Sequence, residues 1–133
     1  MKKSINEGGK NVHLLIHLTH GPEAPTQADR AFLIAKTALR DGHQAAMFLA
    51  GSAVQLLKEE NLDTVFGVGV TATELRNSVN EILERGGRIV LSQVSCGARG
   101  ITEEDLQGKK IELGSPSVLV EMTAACDKVI TYG

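Results

Sequence analysis

Short apolar runs alternate with amphipathic segments along most of this chain. The runs at residues 11–18, 44–50 and 88–94 are nearly continuous in apolar residues, which is typical of strands buried on both faces of a parallel sheet. A shorter run at 129–132 indicates a last strand, and the segments between the runs repeat apolar residues at helical spacing. The pattern predicts a three-layer α/β/α domain with a four- or five-stranded, mainly parallel sheet.

The predicted helices are bounded by familiar start and stop residues. The first helix is expected to run from an N-cap at Thr26 to a C-terminal glycine, Gly42. A second is expected to open with the capping-box sequence Thr71–Glu74, and a last one at Ser115, which precedes a proline. Residues 65–70 fit either a strand or a buried loop, and their two glycines favour the loop.

The length of the chain fits one domain. It has 133 residues, of which 42% are hydrophobic and only 3% aromatic, so the core must be built from Leu, Val, Ile and Ala. Residues 1–10 are polar and without periodicity, which predicts a flexible N-terminal tail. We therefore expect a single domain over residues 11–133.

The charge balance excludes some classes of partner. Fourteen basic residues stand against 16 acidic ones, for a net charge of −2, so there is no basic surplus for a nucleic acid or a membrane surface. The apolar run at 12–18 is interrupted by two histidines and is too short to span a bilayer. No signal-peptide pattern follows the first lysines. These features predict a cytoplasmic protein.

One cysteine lies where chemistry is expected. Ser95, Cys96 and Gly97 follow the third apolar run, Arg99 comes three residues after the cysteine, and a short helix is predicted from Thr102. Open α/β sheets bind ligands at the carboxyl ends of their strands, and a nearby cation favours thiolate over thiol. We therefore predict Cys96 as a nucleophile or sulfur acceptor, with Ser95, Gly97 and Arg99 as candidate contacts for an anion. The alternative is that Cys96 only packs as a small apolar residue.

Two further loops are candidates for binding at the same edge. His20 follows the first strand and could act as a base or hydrogen-bond partner of the thiol. Gly69 and Thr71 precede a predicted helix, whose N-terminus would attract a small anion. The loop lacks the lysine of a phosphate-binding P-loop, so a tight packing loop is the alternative.

The remaining histidines and cysteine have simpler interpretations. Cys126 lies on the apolar face of the last predicted helix and is expected to pack there, and His17 is expected to be a hydrogen-bonded histidine of the core or of an interface. Without a C-x-x-C pair, a dithiol cycle is not expected. The spacing of Cys96, the two histidines and Glu23 matches no zinc pattern, so we expect no metal and no cofactor.

Several motifs together resemble a known family. In order along the chain they are His17–Glu23, Arg40–His43, Met47–Gly51, Gly67–Thr71, Ser95–Ile101 and Ala125–Tyr132. Their order and spacing resemble the DsrE/DsrF-like family, which includes the TusD-type subunits of sulfur relays. The resemblance covers nearly all of residues 11–133.

The resemblance carries implications for fold, assembly and chemistry. It implies a five-stranded parallel sheet between helices and a homo-oligomer, either a trimer or a hexamer. It also implies that a cysteine near the end of a middle strand carries sulfur as a persulfide, and Cys96 matches that position. Two functions are therefore considered. In the first, a small sulfur-handling protein accepts sulfur on Cys96 from a donor protein and passes it to an acceptor protein. In the second, the fold serves as a non-catalytic module that binds a small anion or a nucleotide, or supports assembly. Whether the protein is an enzyme stays open.

Overall fold

Five parallel strands form one sheet in the order β4-β3-β2-β1-β5. The structure is a computed structural model that describes residues 11–133, so the predicted tail at 1–10 lies outside the described residues. The strands are β1 (His13–Leu18), β2 (Gln44–Leu49), β3 (Arg88–Ser92), β4 (Glu112–Gly114) and β5 (Lys128–Tyr132). The helices are α1 (Pro25–Arg40), α2 (Glu59–Leu62), α3 (Glu74–Glu84), α4 (Gln93–Ala98) and α5 (Pro116–Ala125), with 3-10 helices at Gly51–Leu57 and Glu103–Leu106.

Helices cover the two faces of the sheet unequally. Helices α1 and α3 pack against each other and against one face, where they enclose the larger apolar cluster. Helix α5 covers the other face, where the fully buried cluster consists of Leu15, Phe48, Val90 and Met122. The predicted α/β class is confirmed, and the sheet has five strands, all parallel. No helix within residues 11–133 has the length and apolar character needed to cross a bilayer.

Strand β1 lies in the interior of the sheet, and its side chains alternate between the two clusters. Leu14, Ile16 and Leu18 pack with the larger cluster, and Leu15 with the smaller one. His17 therefore lies on the α5 face, with its ring 6.0 Å from that of Phe48 in an edge-to-face arrangement. The Nε2 atom of His17 is buried without a hydrogen-bond partner in the described part of the chain, so the prediction of a hydrogen-bonded histidine is wrong at that atom. Burial lowers the pKa of His17.

The face around α5 keeps apolar surface in water. Val120 on α5 is 67% exposed and Val129 on β5 is 43% exposed. Exposed apolar side chains that occur singly are ordinary, but here they accompany the thinner of the two apolar clusters. Apolar surface on this face therefore contacts water in the single chain.

Two predicted helix caps are wrong. Helix α1 begins at Pro25, which suits the first position of a helix, and Thr26 Oγ1 instead accepts a hydrogen bond from the backbone N–H of Val68 at 3.2 Å. Helix α3 begins at Glu74 without a side-chain cap, and Thr71 Oγ1 lies 3.3 Å from the hydroxyl of a neighbouring threonine. In both cases another contact occupies the hydroxyl that the capping pattern needs.

Residues 65–70 form a loop, as their glycines favoured. The loop lies against the start of α1, because a Cβ on Gly67 would come within 2.8 Å of Thr26 Cα. Gly69 has a φ of +80°, a conformation that side-chain-bearing residues rarely adopt. The loop is thus held at the N-terminus of α1.

Candidate functional site

Cys96 lies on a short helix that the sequence pattern did not predict. Strand β3 ends at Ser92, two residues before the predicted end at Val94, and α4 follows at once. The reason is local, since Ser92 Oγ accepts a hydrogen bond of 3.1 Å from the N–H of Ser95 and so acts as an N-cap. Cys96 is therefore a helical residue just beyond the carboxyl end of β3, not a loop residue.

The side chain of Cys96 points into the core. The residue is 3% exposed and belongs to the larger apolar cluster, while Val94 on the same helix is 66% exposed. Gly97 and Arg99 are also exposed. A nucleophile or sulfur acceptor needs an accessible thiol, but in this conformation the thiol is buried, because the helix that begins after Ser92 turns Cys96 inward.

Three influences act on the pKa of Cys96. Burial raises the pKa and is the largest, the guanidinium of Arg99 lowers it, and the carboxylate of Asp105 raises it. Arg99 Nη1 also donates a hydrogen bond of 3.2 Å to the carbonyl oxygen of Ser95, which keeps the guanidinium beside α4. The net result is a raised pKa, so the thiol is protonated at neutral pH, contrary to the expectation of a thiolate.

Ser95 uses its hydroxyl within the protein. The backbone N–H of Gly51 donates a hydrogen bond of 2.9 Å to Ser95 Oγ, which connects α4 to the start of the 3-10 helix Gly51–Leu57. Gly51 has a φ of +58°, a backbone conformation that favours glycine. The predicted contact of Ser95 with a ligand is replaced in this structure by a contact between two elements of the fold. Gly97, by contrast, faces open space, with no atom within 4 Å of the position of a Cβ.

The carboxylate of Glu23, which the sequence suggested only as a possible zinc ligand, organises the loop after β1. Glu23 Oε2 accepts hydrogen bonds from Gly21 N–H at 3.0 Å and from Ser52 Oγ at 2.7 Å. Burial acts to raise the pKa of Glu23, but the two hydrogen bonds and the nearby His20 lower it overall. A Cβ on Gly21 would lie 2.2 Å from the carbonyl oxygen of Ser52, so only glycine fits there. His20 is half-buried on this loop, next to Glu23.

The Gly51–Ser52 turn therefore has neighbours on both sides. Ser95 from α4 holds Gly51, and Glu23 from the loop after β1 holds Ser52. The sequence signals this arrangement through glycines that lie shortly after two strands, at positions 21 and 51. This signal does not show which side chains meet there.

Gly69 and Thr71 do not join Cys96. Both are exposed on the connection between α2 and α3, which is anchored to α1 through Val68 and Thr26. Within residues 11–133, no hydrogen bond or ion pair connects this segment to α4. The structure thus separates the predicted anion loop from the predicted nucleophile.

Two cavities in the structure lie away from Cys96. One cavity of about 440 Å³ is lined by Arg76 and Lys109. Both side chains form salt bridges with the carboxylate of Glu59, Arg76 Nη2 at 2.8 Å and Lys109 Nζ at 2.9 Å. Another of about 280 Å³ lies beside Cys126, whose Sγ donates to the carbonyl oxygen of Thr123 at 3.2 Å. Among the described residues, no cluster of three or more His, Cys, Asp or Glu side chains is arranged to hold a metal ion.

We expect Arg99→Ala to raise the pKa of Cys96 further, because it removes the cation that opposes burial, and Asp105→Asn to lower it. The measurement is the pH dependence of iodoacetamide alkylation in a Cys126→Ser background. Arg30→Ala, at an exposed position on α1, is the matched control and should leave the profile unchanged. A profile for Arg99→Ala that stays in place or moves to lower pH would contradict this electrostatic account.

Comparison with known proteins identifies the family. The sequence model of the DsrE/DsrF-like family matches residues 13–132. None of the curated proteins compared with the chain matches it. Among solved structures, the chain is similar to the ychN protein from E. coli, with 19% identity over 92% of this chain and 99% of that chain and a TM-score of 0.67.

Two further solved structures are similar, and both are described as proteins of unknown function. BT1422 from Bacteroides thetaiotaomicron has 18% identity over 90% of this chain and 93% of its own, with a TM-score of 0.67. MTH1491 from Methanobacterium thermoautotrophicum has 14% identity over 91% and 99%, with a TM-score of 0.62. At these identities the likeness to solved structures shows only the fold. The match of the family model to nearly the whole described chain shows family membership as well. The chain belongs to the DsrE/DsrF-like family.

Proposed function

We propose that this protein handles sulfur through Cys96, which accepts a sulfur atom from a donor persulfide and passes it to an acceptor. The observation that carries the proposal is the position of Cys96 in a DsrE/DsrF-like domain, directly after the carboxyl end of β3 and beside Arg99. The carboxyl ends of strands are where open α/β sheets bind their ligands. Arg99 supplies the positive charge that an attacking thiolate and a bound persulfide anion both need.

The proposed transfer is a thiol exchange that needs no oxidant or reductant. The exposed thiol of Cys96 gives its proton to His20, and the thiolate attacks the outer sulfur of the donor persulfide. A new S–S bond forms to Cys96 while the S–S bond of the donor breaks, and the donor thiolate leaves with the electron pair and takes up a proton. An acceptor nucleophile then attacks the outer sulfur, and Cys96 leaves as the thiolate.

The burial of Cys96 sets a condition on this chemistry. At 3% exposure the thiol is closed to a protein donor, so α4 must move before the sulfur atoms can meet. His20, on the loop after β1, is the proposed partner for proton transfer once the thiol is exposed. Both cysteines are free, and the cytoplasm is the compartment in which we propose the protein acts, because thiols stay reduced there.

A second candidate function is a non-catalytic module that binds a small anion or nucleotide, or supports assembly. The burial of Cys96 and its raised pKa favour this candidate, because a packed, protonated thiol is what a structural cysteine provides. In this case Cys96 contributes only to the core.

Intact mass distinguishes the two candidates. After incubation with glutathione persulfide, we expect Cys126→Ser to gain one sulfur atom, about 32 Da, and Cys96→Ser to gain none, because the persulfide forms on Cys96 alone. The absence of an adduct on Cys126→Ser, while its denatured form is alkylated normally by iodoacetamide, would favour the non-catalytic module. An equal adduct on Cys96→Ser would end the proposal for this cysteine.

We also propose that the protein is a homo-oligomer, a trimer or a hexamer, with α5 and β5 facing a second copy. The support is the exposed apolar surface on that face, where Val120 and Val129 contact water beside the smaller buried cluster. A second copy would remove this surface from water without any change in the fold. The other partners that we propose for this protein are a sulfur-donor protein and a sulfur-acceptor protein.

We expect the unaltered protein to sediment as three or six chains at micromolar concentration, and the pair Val120→Glu and Val129→Glu to sediment as a smaller species, because two charges would be buried unpaired. Val68→Glu adds a charge at a residue that is 90% exposed on the loop at 65–70 and serves as the control. A monomeric unaltered protein, or a control that dissociates equally, would overturn the assignment of this face. Analytical ultracentrifugation supplies the measurement.

A further inference from the structure

The helix that carries Cys96 is held to the rest of the fold by few hydrogen bonds. In the described part of the chain, the hydrogen bond from Gly51 N–H to Ser95 Oγ is the one that connects α4 to another helix. The other hydrogen bonds of α4 stay within residues 92–101, such as that from Ile101 N–H to the carbonyl oxygen of Cys96. A helix of six residues has little stability of its own, so its place depends on these contacts and on the buried side chain of Cys96.

We infer that Ser95 is a positioning residue that holds α4 in the place where Cys96 is buried, and that release of its hydrogen bond to Gly51 opens the thiol to a persulfide donor. The inference rests on the sulfur-handling function proposed above and supplies the motion that this function requires. It also gives Ser95 a role other than the ligand contact that its place in the sequence suggested.

Of the two elements joined by the Ser95–Gly51 hydrogen bond, the Gly51–Ser52 turn is held more firmly in the fold than α4. Gly51 is followed by Ser52, whose hydroxyl is bound to Glu23 and whose carbonyl oxygen lies against Gly21. The Gly51–Leu57 segment continues into buried residues, among them Ala53 and Val54. Because this turn is fixed from two directions, separation of Ser95 from Gly51 moves α4 and leaves the turn in place.

The ends of α4 allow such a motion. Most of its residues are exposed, so they lose little packing when the helix moves. Gly100, which follows the helix, has a φ of +67°, and glycine can change its backbone conformation there without the steric cost that a Cβ imposes. The costs of opening are the Ser95 hydrogen bond and the burial of Cys96, with Ile101 as the next buried residue along the chain. Local opening of this kind exposes one segment while the sheet stays folded.

The rate at which iodoacetamide alkylates Cys96 in the absence of any sulfur donor reports this opening. In a Cys126→Ser background at fixed pH, we expect Ser95→Ala to increase the rate about two- to tenfold, as the loss of one neutral hydrogen bond implies. Ser95→Thr keeps the hydroxyl and should restore the slow rate. Ser117→Ala removes an exposed hydroxyl on α5 and should leave the rate unchanged.

Amide hydrogen exchange separates local opening from general loss of stability. We expect Ser95→Ala to speed exchange at residues 93–99 while residues 89–91 of β3 keep their protection. A Ser95→Ala variant with the unaltered alkylation rate, or one in which β3 loses protection equally, would overturn the inference. Alkylation uses no sulfur, so a faster rate without a persulfide adduct would reject the proposed function alone. An adduct together with an unchanged Ser95→Ala rate would reject the positioning role alone.

Discussion

The packing of the Cys96 side chain into the larger apolar cluster governs how this site can work. Burial keeps the thiol protonated and closed to large reactants. The Arg99 guanidinium lowers the pKa of Cys96, but by less than burial raises it. A thiol in this state is protected from unwanted oxidation, since reactivity follows thiolate character and exposure. In the function we propose, the sulfur chemistry therefore depends on how often α4 leaves its place, more than on the charge of the sulfur in the closed conformation.

The Gly51–Ser52 turn connects α4, which carries this thiol, to the loop after β1. It follows β2, which lies between β1 and β3 in the sheet, so its neighbours are the loop after β1 on one side and α4 on the other. Glu23 and Ser95 each use one hydrogen bond to reach it. Elements that are far apart in sequence are thereby fixed at one edge of the sheet, where parallel strands bring their carboxyl ends together.

The sequence predicts the sheet well and the site only in outline. Strands buried on both faces are recognisable in the sequence as apolar runs, and Cys96 could be placed at the end of one of them. Helix α4 could not be predicted, because Val94 extends the apolar run and only the Ser92 cap reveals the helix start. Glu23 is 29 residues from Ser52, so their contact has no local signal. Strand β4 has three residues, too few for a pattern to form. Inward orientation of Cys96 follows from the helix start and was missed with it.

In our proposal, the thiol of Cys96 becomes accessible through local opening of α4 and not through unfolding of the domain. The dependence of the Cys96 alkylation rate on urea, at concentrations below the unfolding transition, distinguishes these two routes. Local opening exposes little surface, so the account predicts a rate that hardly changes with urea until the transition begins. A rate that rises from the lowest concentrations with the full slope of global unfolding would contradict it, because Cys96 would then be reached only in the unfolded chain.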